Sequence, residues 1–295
     1  MASIAIKVPR LGERPRDYDW LFRTWRALEG SSDNIEFDFS ECGFIGQNAV
    51  AFIGGLARLM QSRSSTVKFL TDTMKVPVKV NLQQNGFLHS FGHARRGWLG
   101  NSIPYREDTE EEPRGFVAYL EKKWLGRGWV GISDKLGEAI VSRVCEAYSN
   151  VFQHSKSPVG VCSCGQHFPK IHLLKLTLVD FGVGIPSNVR LFLQRAKNLQ
   201  PEQLPAETCM EWAFQSGTST LPGGRGLGLD LLTSFVVIND GHMEIFSHEG
   251  HALVTKNGVA FSTRPIYFEG TLVNILLRCD EKYYYLKSEQ SRSVE

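Results

Sequence analysis

The run Leu173-Leu174-Lys175-Leu176-Thr177-Leu178-Val179-Asp180 leads straight into Phe181-Gly182-Val183-Gly184. This feature constrains the fold more than any other in the chain. A mostly apolar stretch of this length reads as a buried strand. The Asp-x-Gly-x-Gly that ends it demands a sharp turn, with Gly182 and Gly184 where other residues would not tolerate the backbone angles. A carboxylate at the end of such a strand, here Asp180, can accept a hydrogen bond from the amino group of a base. Such a contact discriminates strongly, because its loss leaves the carboxylate unpaired. The same residues also suit a plain strand and turn with a solvated Asp.

Two further motifs flank this one. In Glu-Ala-Tyr-Ser-Asn-Val-Phe-Gln-His-Ser, the residues Glu146, Asn150 and His154 recur at i, i+4 and i+8. That spacing predicts one side of a helix over 133–152, with Ser133 as N-cap and Asp134 in the first turn. Leu136, Ile140, Val144 and Val151 supply the apolar stripe. Asn150 offers a neutral oxygen to a hard cation such as Mg²⁺, which keeps waters and substrate phosphates as its other ligands. Glu146 can act as general base on a water or hydroxyl. An ordinary polar helix face would carry the same three residues. Downstream, Gly223, Gly224, Arg225, Gly226, Leu227 and Gly228 form a glycine-rich loop that opens a helix. Free backbone amides and the positive end of a helix dipole make a phosphate cradle there, with Arg225 as a charged contact. A flexible connector is the other reading of a lone loop of this kind.

Taken in order, the three motifs and the closing strand Gly-Thr-Leu-Val-Asn-Ile-Leu-Leu-Arg resemble the Bergerat-fold (GHKL) ATPases. That superfamily includes gyrase B, the heat-shock chaperone, histidine kinases and mismatch-repair ATPases. Glu146, Asn150 and His154 look like its N box. Asp180, Gly182 and Gly184 look like the first glycine box, Gly223–Gly228 like the second, and Thr271 like the final-box Thr near the adenine. The resemblance covers residues 116–280 and implies ATP and Mg²⁺ as cofactors. Asp180 would meet the adenine amine, Asn150 the metal, the second glycine box the phosphates, and 187–222 would be the lid.

The first hundred residues read as a separate α/β layer: a strand at 35–39, a helix at 47–62, a strand at 67–70, then an amphipathic segment ending near Gly86 or Gly92. Asp38 to Leu56 resembles the STAS fold of anti-sigma-factor antagonists. Asn48 stands where those proteins carry the phosphorylated Ser, which puts self-phosphorylation of this part in doubt and leaves a docking or regulatory role. Residues 101–115 read as a linker and 281–295 as a charged tail. The fold expected is therefore α/β and α+β, a STAS-like domain followed by a mixed sheet with helices on one face. His89 and His93 lack the pattern around a histidine-kinase phosphoacceptor. The gyrase and mismatch-repair branches need a transducer domain downstream, which the short charged tail does not supply.

Composition narrows the partners. Among 295 residues, Lys plus Arg number 33 and Asp plus Glu 31, so no basic surface argues for nucleic acid or anionic membrane. No run approaches the roughly 18 apolar residues of a membrane span, and the first residues lack a leader pattern. The six cysteines are scattered, which fits a reducing, cytoplasmic setting. Cys162, Cys164, His167 and His172 lie close in sequence, but Cys-x-Cys is not the usual zinc spacing, and a strand would turn both thiols to one core face. The expectation is a cytoplasmic Mg·ATP-binding protein that hydrolyses ATP or phosphorylates Ser/Thr on a protein partner in a regulatory role, with a homodimer left open. The alternative is a nucleotide-gated binding switch with negligible turnover.

Overall fold

The computed structural model describes residues 3–93, 97, 100–197, 204–215 and 230–290. The architecture is mixed α/β. Strands β1 (Ser3–Lys7), β2 (Asn34–Asp38) and β3 (Val67–Leu70) form a parallel sheet in that order. Parallel neighbours need crossovers, supplied by α1 (Pro15–Ala27) and α2 (Gln47–Ser62). Helices α3 (Val76–Gln84) and α4 (Phe87–Ser90) follow. The helix at 47–62 and the strand at 67–70 coincide with the sequence pattern. The elements β1 and α1 are additions to it, with Tyr18, Leu21, Phe22 and Trp25 forming the buried stripe of α1.

The second part begins with β4 (Ser102–Asp108), α5 (Pro113–Tyr119), the short β5 (Gly131–Ile132) and α6 (Asp134–Asn150). Strands β6 (Val161–Phe168) and β7 (Leu173–Asp180), then helices α7 (Gly184–Lys197), α8 (Ala206–Phe214) and α9 (Asp230–Ile238), come next. The long hairpin β8 (His242–Thr255) and β9 (Gly258–Arg278) precedes β10 (Tyr283–Tyr284) and α10 (Lys287–Gln290). The large sheet has the order β4-β6-β7-β9-β8.

Four sequence expectations are corrected here. The large sheet is wholly antiparallel, not mixed, and helices cover both of its faces. Leu174, Leu176 and Leu178 of β7 pack with Ile140 and Val144 of α6 on one side. On the other, Val179, Cys162 and Leu272 join Phe22 and Phe52 of α1 and α2 in one buried cluster. A strand buried on both faces reads as an unbroken apolar run, so its sequence does not reveal that a second layer covers it. The rings of Phe22 and Phe268 stack across this interface at 5.0 Å, and Phe52 meets Phe181 at 5.2 Å.

The second correction concerns 101–115. Within this stretch Ser102–Asp108 form the edge strand β4, paired with β6. Its charges misled because they satisfy one another: Arg106 bonds Asp108 at 2.6 Å and Glu112 at 3.2 Å, while Ile103 and Tyr105 are buried. Third, Glu249-Gly250, which in the sequence reads as the break between strands at 242–248 and 251–256, is not a turn between two strands. Strand β8 runs through it with register shifts between Ser247 and Gly250, a bulge that bends the strand without ending it. Fourth, the tail contributes to the fold: Tyr283-Tyr284 pairs with Gly131-Ile132, and Ser133 N–H donates to the Tyr284 carbonyl at 2.9 Å. Among the described residues no helix is long and apolar enough to cross a membrane.

Candidate functional site

Asp180 ends the central strand β7, flanked by Val161 on β6 and Thr271 on β9. It is 3% exposed. One carboxylate oxygen accepts the Gly182 N–H at 2.9 Å, and the Ser155 and Thr271 hydroxyls and the Thr271 amide hydrogen-bond to the same group. Burial pushes the carboxyl up to about 7, and these hydrogen bonds pull in the opposite direction. Asp180 is thus a hydrogen-bonding group in a dry place whose charge depends on its neighbours.

The glycines after it are required for two different reasons. A Cβ on Gly182 would lie 2.0 Å from the Ser155 carbonyl oxygen, so this position is fixed by close approach. Gly184 has φ +72, and a Cβ there would lie 2.2 Å from the Glu269 carbonyl oxygen. The turn is then tied down. Val183 N–H donates to the Ser155 carbonyl at 2.7 Å. The Asn188 amide on α7 donates to the His154 carbonyl at 3.1 Å.

Those contacts join the turn to the end of α6. Ser133 is the N-cap of α6, accepting from Leu136 N–H at 3.2 Å, as its sequence position predicts. Leu136, Ile140, Val144 and Tyr148 bury one stripe. Glu146 and Asn150 sit half-buried outside that stripe. The α-helix stops at Asn150, and Val151–Ser155 is a π-helical turn. The regular i, i+4, i+8 ladder therefore holds for Glu146 and Asn150, while His154 is reached through a wider turn. Burial lowers the pKa of His154, favouring the neutral imidazole. The Glu146 carboxylate accepts from Arg143 at 3.0 Å.

Thr271 closes the site from β9. Beside it, Ser247 Oγ donates to the Gly270 carbonyl at 2.9 Å and accepts the Ile185 N–H at 2.9 Å. His248 Nε2 lies 2.9 Å from the Val183 carbonyl, which assigns the proton to Nε2, since a carbonyl only accepts. Ser155, Asn188, Ser247 and His248 are thus parts of the site that sequence reasoning missed. The available signal was the polar pair Ser247-His248 inside an otherwise alternating strand, at the bulge.

The structure brings Asp180, Gly182, Gly184 and Thr271 together and ties them to the α6 end that carries Asn150 and His154. Gly223, Gly224, Arg225, Gly226, Leu227 and Gly228 lie outside the described residues. Among the described residues, no cluster of three or more His, Cys, Asp or Glu suits a metal ion. Cys162 and Cys164 are buried in β6 as small apolar side chains, and burial pushes the Cys162 thiol up to about 12. A surface groove is lined by Glu211, Phe214, Thr233 and Phe261, and none of the candidate residues among the described residues lines it. No protein-family model and no curated protein matches the chain.

Proposed function

We propose that this chain is a cytoplasmic, Mg-dependent ATP-binding protein of the Bergerat-fold superfamily, with a STAS-like N-terminal layer. In this reading it hydrolyses ATP or phosphorylates Ser/Thr on a protein partner in a regulatory role. The observation that carries it is the buried Asp180 carboxylate beside Thr271, followed by a glycine turn bound to the end of α6. A carboxylate acceptor next to a hydroxyl fits the amino edge of adenine, and its desolvation makes an unpaired state costly. Asn150 would hold Mg²⁺ through its amide oxygen. One neutral oxygen suits an ion that takes its other ligands from water and phosphate. When bound, Mg·ATP supplies the phosphoryl group. Glu146 would take the proton from the attacking hydroxyl, and Asp180 and Thr271 would orient the base.

One observation favours the switch reading. Glu146 is engaged by Arg143, which holds the carboxylate away from the role of a free base. At the position of the acceptor Ser, Asn48 is 0% exposed and donates to the Gly12 carbonyl at 2.8 Å, so this position presents no accessible group to a kinase. The deciding experiment is titration of the full chain with Mg·ATP by calorimetry, followed by radiolabelled ATP with candidate proteins. Binding with release or transfer of label supports the enzyme. Binding without either supports the switch. No binding rejects the nucleotide reading altogether.

A further inference from the structure

The N-terminal layer and the large sheet meet at a buried polar seam as well as at the aromatic cluster. Its hub is Asn274 on β9, which is fully buried. The Asn274 amide nitrogen donates to Glu13 at 3.1 Å and to the Tyr18 hydroxyl at 3.0 Å. Its oxygen accepts from Thr177 Oγ1 at 2.7 Å and from Gln47 Nε2 at 3.3 Å. All four hydrogen-bonding positions of the amide are therefore used. Tyr18 donates onward to Glu244 at 3.2 Å, and Gln47 also donates to Glu13 at 2.7 Å. Glu13 pairs with Lys175, whose side chain is only 9% exposed.

The seam draws on the loop before α1, on α1, on the first residue of α2, and on strands β7, β8 and β9. The seam and the candidate site share one ladder. Thr177 pairs with Asn274, and Asp180 pairs with Thr271, on the same two strands. Displacing the N-terminal layer would take Glu13 from Lys175 and three of its four partners from Asn274, leaving water where the seam now fixes their geometry.

We propose that this seam sets the geometry of the Asp180–Thr271 pair from the opposite face of the sheet, so that seating of the N-terminal layer regulates the candidate site. In this arrangement Glu13, Gln47 and Asn274 are positioning residues, acting through β7 and β9. The nucleotide consequence rests on the proposed function; the structural consequence does not.

Hydrogen exchange on the full chain tests it without nucleotide. Glu13→Gln should speed exchange of the Gly182 and Val183 amides about tenfold, while the β4–β6 ladder stays unchanged. Thr177→Val, which removes one bond to Asn274 at similar volume, should do the same and decides the matter if Glu13→Gln fails to fold. Glu36→Gln, on the outer face of β2, should alter neither. In parallel, the Kd for Mg·ATP should rise about tenfold in the two seam variants. Unchanged exchange at Gly182 and Val183, or equal acceleration throughout the sheet, overturns the proposal. Absence of Mg·ATP binding by the wild type instead rejects the nucleotide reading, and the exchange result still stands or falls alone.

Discussion

Asp180 and Thr271 face each other across the β7–β9 ladder, and Thr271 hydrogen-bonds the buried Asp180 carboxyl through both its hydroxyl and its amide. The pair couples folding to protonation. The folded carboxyl titrates at about 7, against about 4 in an unfolded chain. Between those values the folded state holds the extra proton, so this group's contribution to stability falls as pH rises through that window and is constant above it. The ceiling on the loss is about 4 kcal/mol. Asp180→Asn does not titrate. Urea unfolding of wild type and Asp180→Asn should therefore converge or cross as pH rises from 4 to 8, with wild type losing ground. A constant difference across that range contradicts the desolvated carboxyl.

Binding adds an independent check at the same residue. In the proposed nucleotide reading a base amine would donate to the carboxylate, so ATP affinity should climb as pH rises toward 7 and level off above it. Asp180→Asn should weaken binding by about 1–3 kcal/mol at pH 8 and flatten the pH profile. Equal affinity in both proteins, read by calorimetry, removes Asp180 from the base site.

Gly182→Ala isolates the close approach of the turn to α6. The added Cβ meets the Ser155 carbonyl at 2.0 Å, a backbone atom that cannot swing aside. Overpacking of this sort costs about 1–3 kcal/mol. Gly128→Ala has φ +69 but open space around its Cβ, so it reports conformational strain alone, about 1 kcal/mol. Chemical denaturation should rank Gly182→Ala as the more damaging, with ligand binding lost only there.

How legible this was from sequence varies with the range of the interactions. The α2 and β3 boundaries follow from local periodicity, and Ser133 follows from capping chemistry, so both emerge from a few adjacent residues. Asp180 and Gly182 were singled out by the turn they form. Ser155 and Ser247 were not, because their role exists only where the ends of three elements converge. The covering of the large sheet by α1 and α2 was hidden for a similar reason: Val179 and Leu178 are both buried and apolar, so the sequence of β7 does not say that two layers press on it. β4 was obscured by charges that neutralise each other within the strand and its following turn.

Glu146 and Arg143 give a test of chemistry that leaves the fold largely untouched. Half-exposed i, i+3 pairs contribute about 0.3–0.5 kcal/mol, so either substitution should shift the unfolding midpoint only slightly. If Glu146 is the base, Glu146→Ala should cut phosphate release or transfer by about 10²–10⁴-fold with nucleotide still bound. Arg143→Ala should raise the rate by releasing the carboxylate. Identical background rates in wild type, Glu146→Ala and Arg143→Ala would leave the switch as the surviving reading.

The segment after β10 bears on α6 through Ser133. Its hydroxyl accepts from Leu136 N–H and donates to Glu289 at 2.7 Å, so one oxygen caps the helix and anchors the segment after β10. Ser133→Ala removes both functions and should cost about 1–2 kcal/mol, the upper part of the N-cap range. Glu289→Gln keeps the cap and weakens only the anchor. The Glu289 carboxyl lies below its ordinary pKa because Ser133 and the Leu286 amide donate to it. Its contribution is therefore present above the unfolded pKa and is lost as pH falls through the folded value. Limited proteolysis should cut after β10 faster in Glu289→Gln than in wild type at pH 7, with the difference fading only in buffer acid enough to protonate the carboxyl, below its ordinary pKa of about 4. Equal cleavage at pH 7 would mean that β10 pairing with β5, and not Glu289, holds the segment to α6.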